Sequence, residues 1–161
     1  MKVKDSLFLE DLLIKIFNLV KIMVKIALIG CTSKKQDYPC KAIEMYTKSN
    51  YFNLKLDYCK KINVDNIFIL SAKYGLLEPE TIIEPYDLHL GKTSKDYRIK
   101  WSQNVLNDLK EKTNLENDEF IILAGNDYMK YLIEHIPNNY NPVKGLGIGK
   151  QLKFFKEFEC D

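Results

Sequence analysis

Three apolar runs, each six residues long, divide the chain, and each is followed by small or polar residues. They cover residues 24–29 (VKIALI), 66–71 (NIFILS) and 119–124 (EFIILA). Apolar runs of this length are typical of strands that are buried on both faces of a parallel sheet. The pattern therefore predicts three adjacent, buried and mutually parallel strands.

The segments between and after these runs carry apolar residues at helical spacing. The predicted helices cover residues 41–61 in two pieces that meet near Ser49 and Asn50, residues 94–112 with Ser94 as the cap, residues 126–136, and residues 148–158. Residues 138–142 (NNYNP) are predicted to form a turn. Strands that alternate with helices predict an α/β fold with three layers, in which a mainly parallel central sheet has helices on both faces.

Residues 1–22 form a leader that precedes the first predicted strand, and residues 23–161 are expected to form a single α/β domain. The apolar residues of the leader recur at helical spacing and predict an amphipathic helix: Leu9, Leu12, Leu13, Ile16, Phe17 and Val20. Charged residues interrupt the leader, so no run approaches the roughly 20 apolar residues of a membrane helix. We expect the helix to pack on the domain or on a second copy of the chain, which makes a homo-oligomer possible. The alternative is binding to a membrane surface.

Composition limits the classes of protein that remain. At 161 residues the chain suits one domain with a continuous core, and 46% hydrophobic residues predict a packed fold. The formal net charge of +2 is too small to indicate nucleic-acid binding by itself. Four cysteines without a CxxC pair and two distant histidines argue against a zinc site. We therefore predict no metal, no cofactor, no membrane partner and a cytoplasmic location.

A ligand site is expected where the three predicted strands end. The carboxyl ends of parallel strands lie at the same edge of a sheet, and ligands of open α/β sheets bind outside that edge. Each predicted strand ends there in a polar segment: GCTSKK at 30–35, SAKYG at 71–75 and AGND at 124–127. The sequence thus predicts a site before any motif is considered.

The segment GCTSKK contains the first candidate residues. Cys31 is a candidate catalytic nucleophile, because nearby lysines and a helix start favour the thiolate; the alternative is an inert buried thiol. Thr32 and Ser33, with the surrounding backbone N–H groups, suit the binding of an anion. Lys34 is expected to hold a phosphate or to act in the chemistry, unless it is a solvated surface lysine.

The stretch LSAKYGLLEPETIIEPYDLHLG, residues 70–91, is unusually rich in aromatic and rigid residues. Gly75 permits a positive φ that turns the chain sharply after the strand. Pro85 and a second proline stiffen the segment, while Tyr74 and Tyr86 offer aromatic faces for stacking a base. We predict that the stretch is a rigid wall of the ligand site rather than a cover for the sheet.

The remaining candidates complete this site. Lys73 is expected to hold a phosphate or to polarise a base. Glu84 or Asp87 is the candidate general base. Asn126 and Asp127 follow the third strand and are expected to hydrogen-bond a base edge or a sugar.

Residues 70–91 resemble the signature of the YaaA superfamily, a Tyr-Gly-Leu-Leu-x-Pro run followed by Ile-x-Pro-Tyr and a glycine. The matching positions are Tyr74, Gly75, Leu76, Leu77, Pro79, Ile83, Pro85, Tyr86, Leu88 and Gly91. The opening IALIGCTSKKQDYPCKAIEMYTKSNYF resembles small uncharacterised YaaA-like proteins of prokaryotes and phages. More distantly, it is similar to the catalytic domain of archaeosine synthase, in which a Cys-Ser-x-x-Lys loop precedes a Pro-Tyr pair. The resemblance covers about residues 24–155.

The candidate residues and the resemblance together indicate an enzyme that acts on a nucleobase or nucleotide, free or in nucleic acid. Its expected chemistry is N-glycosidic or base-modifying, as in a glycosylase or a base-modifying transferase. The alternative is a non-catalytic nucleic-acid-binding stress-response protein of the YaaA type. In that case the alternating lysines and tyrosines of residues 34–51 would track phosphates and stack on bases.

Overall fold

The computed structural model of the chain describes residues 2–20 and 23–160. The strands are β1 (Lys25–Gly30), β2 (Cys40–Lys41), β3 (Asn66–Ser71), β4 (Gly75–Leu77), β5 (Ile82–Ile83), β6 (Glu119–Leu123) and β7 (Asn139–Tyr140). The helices are α1 (Lys2–Val20), α2 (Ala42–Met45), α3 (Asn50–Lys61), α4 (Lys95–Lys112), α5 (Asn126–Met129) and α6 (Ile148–Glu157), with 3₁₀ turns at Leu90–Lys92 and Ile133–His135.

The central sheet has five strands in the order β4-β3-β1-β6-β7. Strand β1 lies in the middle and pairs in parallel with both β3 and β6, so that Ile26 is opposite Asn66 on one side and Phe120 on the other. Strand β7 is also parallel to β6, while β4 runs antiparallel to β3. The prediction of three adjacent parallel strands is confirmed.

Helices cover both faces of this sheet. Because side chains alternate along a strand, Ile26 and Leu28 of β1 pack on one face, in the cluster that contains Val105 of α4. Ala27 and Ile29 pack on the other face, in the cluster that contains Phe52 of α3 and residues of α2 and α6. The predicted three-layer α/β architecture is therefore confirmed.

The stretch 70–91 contains two short strands that sequence reasoning missed, β4 and β5. Gly75 has a φ of +74° and turns the chain from β3 into β4. Strand β5 then pairs with β2 as a separate two-stranded sheet. Backbone hydrogen bonds join this stretch to the start of α2. The N–H of Ile43 donates to the Pro79 carbonyl at 3.0 Å, and the N–H of Ala42 donates to the Thr81 carbonyl at 2.8 Å.

Two further segments differ from the predictions. Residues 139–140, predicted to lie in a turn, form β7, because the edge of β6 offers backbone partners; the N–H of Phe120 donates to the Asn138 carbonyl at 2.9 Å. The helix predicted over residues 126–136 is α5 followed by a 3₁₀ turn. Met129 of α5 is buried in the core, as are Leu132 and Ile136, which flank the 3₁₀ turn.

The predicted helix of the leader is present as α1. The described side chains of residues 4–17 are all exposed, including the apolar stripe from Leu9 to Phe17. Packing on the rest of the chain therefore does not bury the stripe, and association of copies through α1 stays a prediction. The side chain of Val20 and residues 21 and 22, where the leader was predicted to end, lie outside the described residues. None of the described helices has the length and apolar character needed to cross a membrane.

Candidate functional site

A cleft of about 650 Å³ opens at the carboxyl ends of β1 and β6, and we call it the β1–β6 cleft. Its walls are residues 30–32, residues 122–126, the segment from Asn139 to Gly145, part of α3 and the start of α6. After β1 the chain continues to the face of the sheet that is covered by α2 and α3. After β6 it continues to α5, which packs on the opposite face. Neighbouring strands whose connections diverge in this way leave a crevice, and ligands of α/β sheets bind there.

The thiol of Cys31 lies in this cleft and is hydrogen-bonded to the Tyr128 hydroxyl, with 2.9 Å between Sγ and Oη. The backbone N–H of Cys31 donates to the Leu70 carbonyl at 2.9 Å, which anchors the residue just beyond β1. Burial raises the pKa of Tyr128, and the neighbouring Cys31 raises it further. The phenol is therefore neutral near pH 7 and can donate a hydrogen bond to a thiolate.

Lys55 of α3 is a functional candidate that sequence reasoning missed. Its side chain lines the β1–β6 cleft although only 4% of the residue is exposed, and its ammonium lies 3.8 Å from the centre of the Tyr51 ring. Burial lowers the pKa of Lys55 to about 8, against the smaller opposing effects of Cys31 and Cys59. The signal that could have found it is its position: Lys55 lies three residues after Phe52 and four before Cys59, on the buried face of the helix.

The Tyr86 hydroxyl belongs to a buried network at the end of β3. It lies 2.7 Å from the Ser71 hydroxyl and 2.8 Å from the Tyr46 hydroxyl, and both partners are fully buried. Burial is the main cause that raises the pKa of Tyr86, and the neighbouring Cys31 raises it further. The Lys35 ammonium lies 4.5 Å from the centre of the Tyr86 ring. These contacts give the Tyr86 hydroxyl a bracing role within the fold.

A second, smaller cleft of about 290 Å³ lies between the β3–β4 turn and α4, and we call it the hairpin cleft. Lys73, Tyr74 and Gly75 line it. The Tyr74 ring meets the Tyr86 ring edge-on at 5.6 Å, and the Lys73 ammonium lies 5.1 Å from the Tyr74 ring centre. Lys73, Tyr74 and Gly75 therefore line one depression, and Cys31 lines another.

The structure brings only some of the predicted site residues into the β1–β6 cleft, namely Cys31, Thr32 and Asn126. The others occupy other positions: Ser33, Lys34, Glu84 and Asp87 are exposed and outside the described lining, and Pro85 is half-buried. The Asp127 carboxylate lies so close to Gly91 that a Cβ at residue 91 would overlap it.

The alternating lysines and tyrosines of residues 34–51 do not form a continuous surface. Tyr46 is fully buried, and the Tyr51 hydroxyl donates to the Gln151 side chain. Lys41 pairs with Glu80 at 2.5 Å, and Lys48 pairs with an aspartate at 3.7 Å. Within the described residues, no cluster of three histidine, cysteine or acidic side chains suits a metal ion.

Sequence comparisons identify a family to which the chain belongs. The pattern of DUF6884, a family of unknown function, matches residues 26–157, and the chain belongs to that family. Among curated proteins, the chain is similar to UPF0246 proteins, and the resemblance to YaaA-like proteins is confirmed.

Three of these relatives indicate how far the similarity extends. The UPF0246 protein of Psychrobacter cryohalolentis is 30% identical over 93 residues, which cover 54% of the chain and 35% of the relative. The relative from Polynucleobacter necessarius is 34% identical over 74 residues, covering 42% of the chain and 29% of the relative. The relative from Shewanella pealeana is 37% identical over 68 residues, which cover 38% of the chain and 26% of the relative. The matched stretches thus span about a third or less of these longer proteins.

Proposed function

We propose that the protein is an enzyme that binds a nucleobase or nucleotide in the β1–β6 cleft and modifies the base. The observation that carries the proposal is the pairing of the Cys31 thiol with the Tyr128 hydroxyl inside a carboxyl-edge cleft. The volume of about 650 Å³ lies within the range of roughly 300–1,000 Å³ that small-molecule sites occupy. The expected cytoplasmic location belongs to the same proposal, because nucleotides are abundant there.

The lining of the cleft favours base modification over N-glycosidic chemistry. Glycosidic cleavage ordinarily depends on a carboxylate that acts as base or nucleophile. No aspartate or glutamate is among the described residues that line the β1–β6 cleft, whereas a thiol is. Of the two reaction types expected from the sequence, the one that uses a thiol nucleophile is therefore better supported.

Each lining residue has a role in such a reaction. The Cys31 thiolate would add to an electron-poor carbon of the base. A sulfur–carbon bond forms as the π bond between that carbon and the adjacent ring nitrogen breaks, and the nitrogen keeps the electron pair and takes up a proton from water. The neutral Tyr128 hydroxyl would hold the thiolate in place by hydrogen bonding. Asn126, whose amide carries both a donor and an acceptor, would read the edge of the base.

The test is protection of Cys31 from alkylation. The protein is treated with iodoacetamide, with and without a panel of nucleobases, nucleosides, nucleotides and a short single-stranded oligonucleotide, and labelling of each cysteine is followed by peptide mass spectrometry. We expect a base-containing ligand to slow the labelling of Cys31. Labelling of the exposed Cys160 should not change, which makes it an internal control.

Unchanged Cys31 labelling with every member of the panel contradicts the proposal. Protection by the oligonucleotide alone, with an affinity that falls steeply with salt and without a modified product, favours the non-catalytic nucleic-acid-binding alternative.

A further inference from the structure

Lys55 is a buried cation, and none of the described residues supplies an anionic partner for it. Only 4% of the residue is exposed, and among the described residues the ammonium makes no hydrogen bond or ion pair. The ammonium lies over the Tyr51 ring, 3.8 Å from its centre. Burying a charge without a counter-ion is costly, and natural proteins usually pair such a group. An unpaired ammonium at the wall of an open cleft is therefore placed to meet an anion from outside.

The groups that surround Lys55 agree with this. The titratable groups that face it from the adjoining elements are the thiols of Cys31 after β1 and Cys59 on its own helix, with the Tyr51 phenol beside it. Tyr128 and the cationic Lys144 also line the cleft. Since the described lining contains two lysines and no carboxylate, the cleft is positively charged.

The start of α6 provides a second, independent anion-binding feature. This ten-residue helix begins at the cleft, where Ile148 and Gln151 line the wall. Its cap position is Gly147, no side chain caps it, and its first turn has no acidic residue. The first N–H groups of the helix are therefore not satisfied within it, and such groups attract anions.

A chain of contacts connects the two features. The Tyr51 hydroxyl donates a hydrogen bond to the Gln151 side chain, and the Tyr51 ring lies under the Lys55 ammonium. Gln151 in turn donates to the Leu146 carbonyl at 2.7 Å, which holds the loop before α6. The ammonium and the first turn of α6 thus belong to the same wall of the cleft.

We infer that the β1–β6 cleft receives an anionic ligand whose phosphate or carboxylate group is bound by the Lys55 ammonium and by the N–H groups at the start of α6. The inference rests on the proposed function and narrows its ligand class. A nucleoside monophosphate would place its phosphate at Lys55 and its base towards Cys31, whereas a free nucleobase or nucleoside would leave the ammonium unpaired.

The experiment measures binding by isothermal titration calorimetry at pH 7 with the full chain. The probes are nucleoside 5′-monophosphates, the corresponding nucleosides, inorganic phosphate and acetate. The variants are Lys55→Met, which removes the charge and keeps the apolar stem; Lys55→Arg, which keeps the charge; and Lys153→Met, a matched control with the same charge change at an exposed lysine of α6. Circular dichroism establishes that each variant is folded.

We expect a monophosphate to bind the unmodified protein at least about 10-fold more tightly than its nucleoside. A charge-assisted hydrogen bond of ordinary strength corresponds to an affinity loss of about 10- to 100-fold in Lys55→Met. Lys55→Arg should retain most of the affinity, and Lys153→Met all of it. Binding of inorganic phosphate in preference to acetate assigns the site to phosphate, and the reverse preference assigns it to a carboxylate.

Equal binding of monophosphate and nucleoside, or an unchanged monophosphate affinity in Lys55→Met, overturns the inference while the proposed function stands. Lys55-dependent binding of phosphate or acetate, combined with no binding of any base-containing ligand, refutes the proposed function while the anion site stands. Should Lys55→Met fail to fold, the inference is tested by the preference of the unmodified protein for the monophosphate and by the retained affinity of Lys55→Arg.

Discussion

The Cys31 thiol and the Tyr128 hydroxyl lie 2.9 Å apart, although 97 residues separate them in the chain. Cys31 follows β1 and Tyr128 lies in α5, directly beyond β6, so the parallel pairing of the two strands brings them together. A neutral phenol next to a thiol can stabilise the thiolate without competing for its proton, which is a useful arrangement for a nucleophile.

Cys31 should therefore react with iodoacetamide near neutral pH before the other three cysteines. Cys40 and Cys59 are buried, and burial raises the pKa of Cys59 to about 12, so its thiolate is scarce. Tyr128→Phe removes the hydrogen-bond donor and should slow the labelling of Cys31 by about 10-fold, if the bond is worth roughly 1.4 kcal/mol. Labelling is measured by time-resolved peptide mass spectrometry. Faster labelling of Cys160, or an unchanged rate in Tyr128→Phe, would remove the support for a reactive thiol.

Tyr86→Phe should destabilise the fold. The hydroxyl bonds to Ser71 and Tyr46, which are both fully buried, so its removal leaves a buried polar group without its partner at a cost of about 1–3 kcal/mol. Urea denaturation measures the effect. Tyr74→Phe is the matched control, because its hydroxyl makes only a 3.5 Å contact with the Glu84 carbonyl and the residue is 37% exposed. Comparable stability of the two variants would argue that the Tyr86 hydroxyl serves a ligand and not the fold.

Gly75→Ala should destabilise the protein by about 1 kcal/mol. The residue has a φ of +74°, in the left-handed region where an L side chain is strained. Space is not the cause, since the nearest atom to an added Cβ is 3.6 Å away on Val105. Gly149→Ala provides the comparison, because Gly149 lies within α6, has no positive φ and has open surroundings. A loss of stability in Gly149→Ala as large as that in Gly75→Ala would contradict the explanation by backbone conformation.

Lys55→Met should stabilise the protein below pH 8, and the gain should disappear as the pH rises. The folded-state pKa of Lys55 is lowered from 10.5 to about 8, so between these values the unfolded chain binds more protons than the folded one. The free energy of unfolding of the unmodified protein then rises with pH in that window, by up to about 3 kcal/mol from this residue. Denaturation of both proteins at several pH values isolates the effect, because the tyrosines and Cys59 are common to both. A pH-independent difference would show that Lys55 is not a buried charge.

Binding of a nucleoside monophosphate should weaken above pH 8. Lys55 loses its proton there in the free protein, so binding of the anion must be accompanied by proton uptake, and affinity falls by about 10-fold per pH unit well above the pKa. Lys55→Arg should remove this dependence, because a guanidinium stays charged. Calorimetry between pH 7 and 9.5 checks both statements. An affinity of the unmodified protein that is constant over this range would contradict the assignment of Lys55 as the counter-ion.

Local patterns in the sequence determined the framework of this protein. The three apolar runs predicted β1, β3 and β6 and their parallel arrangement, because a strand buried on both faces needs a nearly continuous apolar run. Ser94 begins α4 by accepting a hydrogen bond from the Tyr97 N–H at 3.1 Å, as a cap should. The positive φ of Gly75 was likewise predictable from the sequence, because glycine adopts the left-handed conformation more easily than other residues.

Only the tertiary structure decided which polar groups share a cleft. Strands β4, β5 and β7 are short and form because a neighbouring strand offers backbone partners, which local sequence does not reveal. Only some of the predicted site residues line a cleft. Cys31, Thr32 and Asn126 line the β1–β6 cleft and residues 73–75 line the hairpin cleft, while the other predicted residues line neither. Lys55 became a candidate because it is buried and because no carboxylate among the described residues pairs with it, and both are properties of the packed chain rather than of the residue.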